Sequence, residues 1–316
     1  MGIFLIRRML TLAATLAATS ILVFLVLDVL PGNAAQMQLG ADATPDTLAA
    51  LTRKLGLDRP APERYLLWVS AMAQGDFGLS SAYETPVAQL IADSMQVSLP
   101  LAFLAMALTI ALALALGITA AARHNQPADM AIMACAQIGM AVPNFWFGIL
   151  LILVFAVHLH WFAAGGFPGW QAGFGPAMRA LLLPAWALAL VQTAILARVT
   201  RSSVLEVLGE DFVRTARAKG LSRAQVLWRH VLRNALAPIV TIIGLQFSSL
   251  IASAVVIENV FALPGLGRLI FQAIGNRDAN VVRDGVLLLA GLVIVVNFCV
   301  DVASVIIDPR LKVRGL

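Results

Sequence analysis

Six long apolar runs dominate this sequence and constrain its fold more than any other feature. They cover approximately residues 9–30, 97–122, 131–157, 181–199, 235–257 and 286–307. A helix of about 20 apolar residues crosses the hydrocarbon core of a bilayer and satisfies its own backbone hydrogen bonds there. Charged residues make up 12% of the chain, whereas soluble domains have about a quarter. The sequence therefore predicts an all-α membrane protein with six transmembrane helices.

The first run divides the chain into segments but also admits a second interpretation. Arg7 and Arg8 precede it, as basic residues precede a secretory signal peptide. Its apolar stretch is longer than the 7–15 residues usual for such a peptide, which favours a retained anchor. The small residues at 33–35 leave cleavage open as the alternative. We expect an anchor helix at 1–30, an outer segment at 31–96, and a five-helix core at 97–316.

The distribution of basic residues predicts the orientation of the chain. An even number of spans puts both termini on one side of the membrane. Of the 22 Lys and Arg residues, 14 fall on that side and eight on the other. Since Lys and Arg accumulate on the cytoplasmic side, both termini are predicted to be cytoplasmic. The net charge of +5 is then a signature of membrane insertion, and no nucleic-acid partner is expected.

The residues that carry catalysis, metal binding or nucleotide binding do not form recognisable motifs. The chain has no Gly-x-x-x-x-Gly-Lys-Ser/Thr phosphate loop. Cys135 and Cys299 lie inside apolar runs and are interpreted as small hydrophobic residues. His124 and His230 have no Cys or His partner at ligand spacing. His158 and His160 suit the aromatic belt beside Trp161, with metal binding or proton relay as the alternative. We predict no catalytic residue, no metal site and no cofactor bound by this chain.

The loop at 200–234 is the most informative stretch outside the apolar runs. Asp211 favours the start of a short helix, and Gly220 can supply the left-handed residue that ends it. Ser222 and Gln225 then form a capping-box pattern that starts a second helix. The first helix is amphipathic, and we expect one side to carry Phe212, Val213 and Ala216. Arg214 and Arg217 lie on another side.

The residues of this helix permit two functions. It could rest on lipid headgroups as a solvated basic helix, or it could be a rigid docking element that another protein binds. A resemblance decides between them. The run at 214–221, Arg-Thr-Ala-Arg-Ala-Lys-Gly-Leu, with Arg-His-Val-Leu-Arg-Asn-Ala-Leu at 229–236, resembles the EAA loop of ABC importer permeases. It is most similar to the dipeptide/oligopeptide/nickel family, although Arg214 replaces the glutamate of the general motif.

Other short motifs extend this resemblance over nearly the whole chain. They lie at 30–32, 55–58, 75–78, 142–145, 182–185, 258–261, 264–267 and 308–310. Each motif is weak, but their order and spacing are specific. One departure is Asn280, where members of the family usually have a proline. The long outer segment resembles the first of the two permease subunits in such systems.

The resemblance implies a fold, a function and a set of partners. The fold would be that of a type I ABC importer permease, which moves peptides or a similar small solute across the bacterial inner membrane. The partners would be a second permease subunit, two ABC ATPase subunits that bind ATP and Mg, an external solute-binding protein, and the lipid bilayer. The ATPase-coupling residues would be Asp211, Phe212, Arg214, Thr215, Ala216, Arg217, Lys219, Gly220 and Leu221.

Three polar residues in or beside the spans are candidates for the translocation path or its gate. They are Asn144, Glu258 and Asp301, because polar groups are costly in a membrane and are often functional. Interhelical hydrogen bonding is the structural alternative for Glu258 and Asp301. None of them identifies the cargo, which in this family ranges over peptides, nickel chelates, opines and some sugars.

Two other classes of membrane protein compete with the importer. An ion-coupled secondary transporter or channel would require inverted repeats and ionisable groups at broken helices near the midplane. Only Asp301 fits that description loosely. An intramembrane enzyme would require a nucleophile with its base, or paired carboxylates, within the spans, and the sequence has neither.

Overall fold

The computed structural model describes residues 2–29, 44–54 and 58–307, and the secondary structure of these parts is helical. The motifs at 30–32, 55–57 and 308–310 lie outside the described residues. Helices of the first half are α1 (Gly2–Val29), α2 (Pro45–Lys54), α3 (Ala61–Ala73), α4 (Val87–Ala122), α5 (Pro127–Ala141) and α6 (Asn144–Leu151, extended by a π-helical turn, Ile152–His158). Helices of the second half are α7 (Phe174–Leu208), α8 (Asp211–Ala218), α9 (Arg223–Val226, extended by a π-helical turn, Leu227–Val231), α10 (Leu232–Val260), α11 (Leu266–Gly275) and α12 (Ala279–Ile307).

Five stretches of helix in the described residues are long and apolar enough to cross a membrane, and α5 with α6 forms a sixth, bent span. Several helices extend beyond the apolar runs; α4 begins ten residues before the second run, inside the outer segment. Pro100, Pro184 and Pro238 lie within α4, α7 and α10 without ending them. Neighbouring helices in a membrane bundle make such prolines tolerable.

The third predicted span is not one straight helix, which corrects the sequence prediction for 131–157. α5 and α6 meet at an angle of 101°. Pro143 has no backbone N–H, and its ring pushes Val142 out of the helical region, to φ −86° and ψ 122°. The span therefore breaks at Val142–Pro143, and the break opens a space between helices.

The centre of the bundle is the crossing of α4, α7 and α10. Leu101, Leu188 and Leu250 are almost fully buried there. Towards the loop at 200–234, α4 and α7 approach so closely that a Cβ on Gly117 would lie 2.6 Å from Thr200 Cβ. Small residues permit this contact between membrane helices. The two helices are thereby held in a fixed register.

The outer helix α3 is anchored to α1 and α12, which the sequence did not indicate. Trp68 Nε1 donates a 2.7 Å hydrogen bond to Asp284 Oδ1, and the Arg283 guanidinium lies over the Trp68 ring at 4.7 Å. Trp68 also stacks on Phe24 of α1. The contacts join three elements far apart in sequence, so α1 is held to the core from its outer end.

Asn280, the departure from the family pattern, has a structural role in the outer loop. Its Nδ2 donates a 2.9 Å hydrogen bond to the carbonyl oxygen of Leu79, which a proline could not do. Ser80 Oγ donates to the buried Asp278 carboxylate at 2.5 Å beside it. The loop before α4 is thus fastened to the start of α12.

Candidate functional site

The helix in the loop at 200–234, α8, has one face inside the protein. Val213 and Ala216 are buried against the ends of α4, α7 and α10. They belong to a hydrophobic cluster that includes Ile118, Val204 and Ile239. α8 therefore shares one close-packed interior with the ends of the three long helices, and such interiors transmit displacement.

The other face of α8 is open to solvent and corrects one expectation. Phe212 is 43% exposed, whereas Val213 and Ala216 are buried; Phe212 lies about 100° from Val213 and about 40° from Ala216 around the helix, at the edge of the buried face. Asp211 and Arg214 form a 3.4 Å ion pair on this surface, and such exposed pairs contribute little stability. The helix thus presents an aromatic ring among charges.

The remaining predicted coupling residues lie on α8 and in the turn that follows it. Thr215, Arg217, Lys219 and Gly220 are exposed, and Leu221 is half-buried against the cluster below. Gly220 has φ +86°, as the predicted left-handed stop requires.

The predicted capping box forms at the start of the next helix. Gln225 N donates to Ser222 Oγ at 3.3 Å, and Ser222 N donates to Gln225 Oε1 at 2.9 Å. Trp228, two residues beyond α9, is 63% exposed and was not among the predicted site residues. Its exposed ring is a second aromatic group on the loop.

A cavity of about 370 Å³ lies at the break between α5 and α6, against α7 and α10. Its polar lining residues are Asn144, Gln192, Ser249 and Ser253. The rest of the lining is apolar, with Met140, Val142, Pro143, Leu188, Val191 and Ile195 among it. Amides and hydroxyls in an apolar wall are typical of a site for a small polar solute. Of these residues, only Asn144 was predicted from the sequence. Gln192 and the serines lie on helices for which the sequence does not indicate which side faces a cavity.

Gln192 also connects two walls of the cavity. Gln246 Nε2 donates to the main-chain carbonyl of Gln192 at 2.9 Å, and Gln192 Nε2 lies 3.4 Å from the carbonyl of Gln246. Both side chains are buried. This reciprocal pair holds α7 and α10 together at the cavity.

Glu258 lies away from this cavity, at the outer end of α10. It accepts hydrogen bonds from Ser98 Oγ at 2.5 Å and from Arg268 N at 3.1 Å. Leu266 N donates in turn to Ser98 Oγ at 2.8 Å, so Glu258 and Ser98 satisfy the free amides at the start of α11. A Cβ on Gly265 would overlap the Glu258 carboxyl group. The glycine before α11 is therefore required by close approach.

Asp301 is likewise outside the cavity lining. Its Oδ2 lies 2.9 Å from Arg8 Nη1, and both side chains are partly exposed. The pair joins α1 to α12. Asn297, one turn earlier, accepts a 3.2 Å hydrogen bond from Ser248 of α10. Of the three polar candidates, the structure brings only Asn144 to the cavity.

A buried ion pair near the loop at 200–234 was also absent from the predictions made from the sequence. The buried Asp129 of α5 accepts two hydrogen bonds from Arg201 of α7, at 2.6 and 2.8 Å. No sequence pattern indicates this pair, because the two residues are 72 positions apart and a local pattern does not specify which helices are neighbours.

A bundle of membrane-spanning helices with a polar cavity and an embedded loop helix is consistent with a membrane-embedded transport subunit. Residues 113–313 match the family of binding-protein-dependent transport system inner membrane components. Residues 1–102 match the N-terminal family of the same membrane components. The chain belongs to this family and is the permease subunit of an ABC importer in the inner membrane.

Curated relatives match almost the whole chain. The probable peptide ABC transporter permease protein y4tP of Sinorhizobium fredii is 37% identical over 312 residues, covering 99% of this chain and 100% of the relative. The di/tripeptide transport system permease protein DppB of Pseudomonas aeruginosa is 37% identical and covers 98% of both. The glutathione transport system permease protein GsiC of Escherichia coli K12 is 38% identical, covering 98% and 99%.

Solved structures show the same fold. An inward-facing structure of the MetNI methionine ABC transporter is 19% identical, with a TM-score of 0.57, and covers 70% of this chain and 97% of that one. A second crystal form gives a TM-score of 0.59 at 18% identity. The predicted type I importer permease fold is confirmed.

The family also settles the division of labour. ATP is handled by separate ATPase subunits, an external binding protein belongs to the system, and this chain is not itself a catalyst. The secondary transporter or channel and the intramembrane enzyme are therefore excluded.

Proposed function

We propose that this chain forms half of the path by which short peptides enter the cell, and that α8 couples the path to ATP hydrolysis. The observation that carries the proposal is the two-faced packing of α8. Val213 and Ala216 are embedded among three spans, and Phe212 faces outwards. Such a helix can receive a push on one face and pass it to the bundle through the other.

The solvent-exposed face of α8 is suited to bind in a groove of an ATPase subunit. Phe212 supplies an aromatic anchor, and aromatic residues with charged neighbours are typical of the centres of protein interfaces. Arg214, Arg217 and Lys219 supply exposed positive charge around it. Gly220 sets the direction in which the chain leaves the helix. When the ATPase subunits close on ATP, the docked helix moves and the spans rock between inward and outward states.

A second permease subunit would cover the cavity. The cavity is open on one side and exposes Asn144, Ser249 and Ser253. These groups are costly against lipid, where nothing satisfies their hydrogen bonds. A partner chain on this face would complete a polar path between two subunits, as a heterodimer of permeases requires.

The cargo proposal rests on the lining and on the relatives. Neutral amide and hydroxyl groups suit the amide groups of a peptide main chain, and about 370 Å³ in one subunit is within the range of sites for small solutes. The relatives named above are described as transporters of peptides, di- and tripeptides, and glutathione. A short peptide or a peptide-like thiol is the cargo class that fits both.

The orientation follows from the basic residues. With 14 of the 22 Lys and Arg residues on the side of the termini, both termini and α8 lie in the cytoplasm. An alkaline phosphatase fusion at the C-terminus should be inactive, and a fluorescent-protein fusion there should fluoresce. Phosphatase activity of the fusion would show that the C-terminus lies on the outer side of the membrane and would contradict this orientation.

Uptake in the assembled system tests the function. The chain is expressed with the other subunits of its importer in a host that lacks peptide uptake. Labelled trialanine and glutathione are offered with and without an ATPase subunit inactivated in its phosphate loop. We expect ATP-dependent uptake of at least one probe and none with the inactive ATPase. Uptake of free alanine in place of either probe would contradict the peptide assignment.

A further inference from the structure

The first turn of α5 is fastened to the cytoplasmic end of α7 by a forked ion pair. Arg201 Nε and Nη2 donate to the two oxygens of Asp129, at 2.6 and 2.8 Å. Asn125 N adds a 3.0 Å hydrogen bond to Asp129 Oδ2. His124 Nδ1 lies 3.1 Å from Arg201 Nη2 and 3.3 Å from Asp129 Oδ2. Two parallel bonds between planar groups fix both distance and orientation.

This contact is stiff because of where it lies. The Asp129 side chain is 3% exposed and the Arg201 side chain 22% exposed, so the carboxylate oxygens are largely shielded from water. Arg201 lies about two turns before the end of α7, and α8 follows after two residues. Asn125, with φ +59°, turns the chain so that its amide meets the carboxylate. The pair is therefore close to α8 but includes none of the proposed coupling residues at 211–221.

The rest of the α5–α7 contact is smooth. Ala136 and Gly139 are buried on α5, and a Cβ on Gly139 would lie 3.4 Å from Ala194 Cβ. Small side chains allow close approach but offer little resistance to sliding. Arg198 makes a longer polar contact, 3.4 Å from Nη1 to Gln137 Oε1. Asp129 and Arg201 are thus the firm attachment between the two helices.

α5 leads directly into the cavity. Met140 and Ala141 at its end line the cavity, followed by Val142, Pro143 and Asn144. A displacement of α5 relative to α7 would change the distance between two walls of the cavity. The position of α5 thus decides the shape of the space.

We propose that Asp129 and Arg201 are positioning residues for transport: their ion pair makes α5 follow α7, so that movement of the coupling loop carries both walls of the cavity together and keeps the distance between them. The inference rests on the proposed coupling role of α8. It predicts that the position of α5 relative to α7 stays the same through the ATP cycle. When the pair is removed, the two helices should move independently.

Cross-linking across the smooth part of the contact tests this directly. Cys135 and Cys299 are replaced with alanine, and Gly139→Cys with Ala194→Cys places two thiols at a separation suited to a disulfide. The rate of oxidative cross-linking is measured in the whole purified complex, without nucleotide and after trapping with ATP and vanadate. With the pair intact, we expect equal rates in the two states. With Asp129→Asn, we expect rates that differ about tenfold between them, the range of a typical coupling energy.

Controls separate the inference from stability and from the coupling loop. Glu206→Gln removes an exposed carboxylate on α7 for which the described structure gives no ion pair, and should leave the rates equal. If Asp129→Asn does not accumulate in the membrane, Asp129→Leu with Arg201→Met replaces it, because apolar pairs often restore stability without the ionic geometry. The ATPase subunits should copurify with each variant, which distinguishes failure here from failure of the α8 proposal.

The outcomes are decisive in both directions. Unequal rates with the pair intact would show that α5 does not follow α7. Equal rates after its removal would show that the pair is not the attachment. Either result overturns the inference. Uptake of trialanine per ATP hydrolysed gives a second readout, and we expect it to fall with the loss of the pair while ATP hydrolysis continues.

Discussion

At the residue scale, the outer end of the core depends on a buried carboxylate. Glu258 and Ser98 satisfy amides at the start of α11, and Gly265 leaves room for them. Glu258, a candidate gate residue in the sequence, thus has a defined structural role. It positions α11 against α4 and α10.

Replacing Glu258 with alanine should destabilise the protein. The hydroxyl of Ser98 and the amide of Arg268 would lose their acceptor in a buried place, at a cost of roughly 1–3 kcal/mol. The thermal unfolding midpoint in detergent measures this loss. Glu206→Gln, on an exposed part of α7, is the control. An unchanged midpoint for Glu258→Ala would refute the capping role.

Two adjacent residues of α8 should separate stability from partner binding. Phe212→Ala removes an exposed ring, so stability should change by less than about 0.5 kcal/mol, while ATPase affinity should fall by about 2 kcal/mol, the loss typical of an interface anchor. Val213→Ala opens a buried space and should cost roughly 1–3 kcal/mol of stability.

Thermal unfolding and copurification with the ATPase distinguish the two effects. Equal ATPase binding by Phe212→Ala and the unchanged chain would remove Phe212 from the interface. A Val213→Ala variant of unchanged stability would contradict the embedded face of α8.

At the element scale, the turn after α8 depends on one backbone conformation. Gly220 has φ +86°, and an added Cβ would meet no atom within 4 Å. Any effect of a larger residue must therefore come from backbone strain. β-branched residues tolerate this region poorly.

Gly220→Val should leave membrane insertion intact and uncouple ATPase binding or transport. Copurification with the ATPase and trialanine uptake at equal membrane abundance provide the measurements. Gly275→Val is the matched control, since it also has open space but no positive φ. Normal transport by the Gly220→Val variant at normal membrane abundance would contradict the coupling role assigned to this turn.

At the scale of the whole molecule, the cavity joins the bent span to two long helices. Its polar lining residues are uncharged, so cargo charge should matter little in the unchanged protein. A charge introduced there would act in a partly water-excluded space, where it is weakly screened.

Ser253→Asp should therefore change charge preference. We expect uptake of a lysine-containing tripeptide relative to a glutamate-containing one to rise about fivefold, an interaction of ~1 kcal/mol. Competition uptake with the two peptides measures the ratio. Ser70→Asp on the outer helix α3 is the control. An unchanged ratio for Ser253→Asp would place the cargo path elsewhere.

Local chemistry accounts for what could be predicted. Apolar length indicated the spans, and glycine and capping chemistry indicated α8, its stop and the Ser222–Gln225 box, because these depend on residues within a few positions. The same local reasoning misplaced Phe212, since a hydrophobic residue need not face the core. It also treated 131–157 as straight, although Pro143 was visible in the sequence.

The sequence by itself determined that the chain crosses a membrane, where the short loop helix α8 begins and ends, and, by resemblance, the family of the chain. Only the tertiary structure decided which polar residues meet. Asn144 joins Gln192 and two serines in a cavity, Glu258 caps a helix, Asp301 pairs with Arg8, and Asp129 pairs with Arg201. The physical reason is that these contacts join residues tens to hundreds of positions apart. Their geometry depends on helix rotation and crossing, which no local pattern specifies.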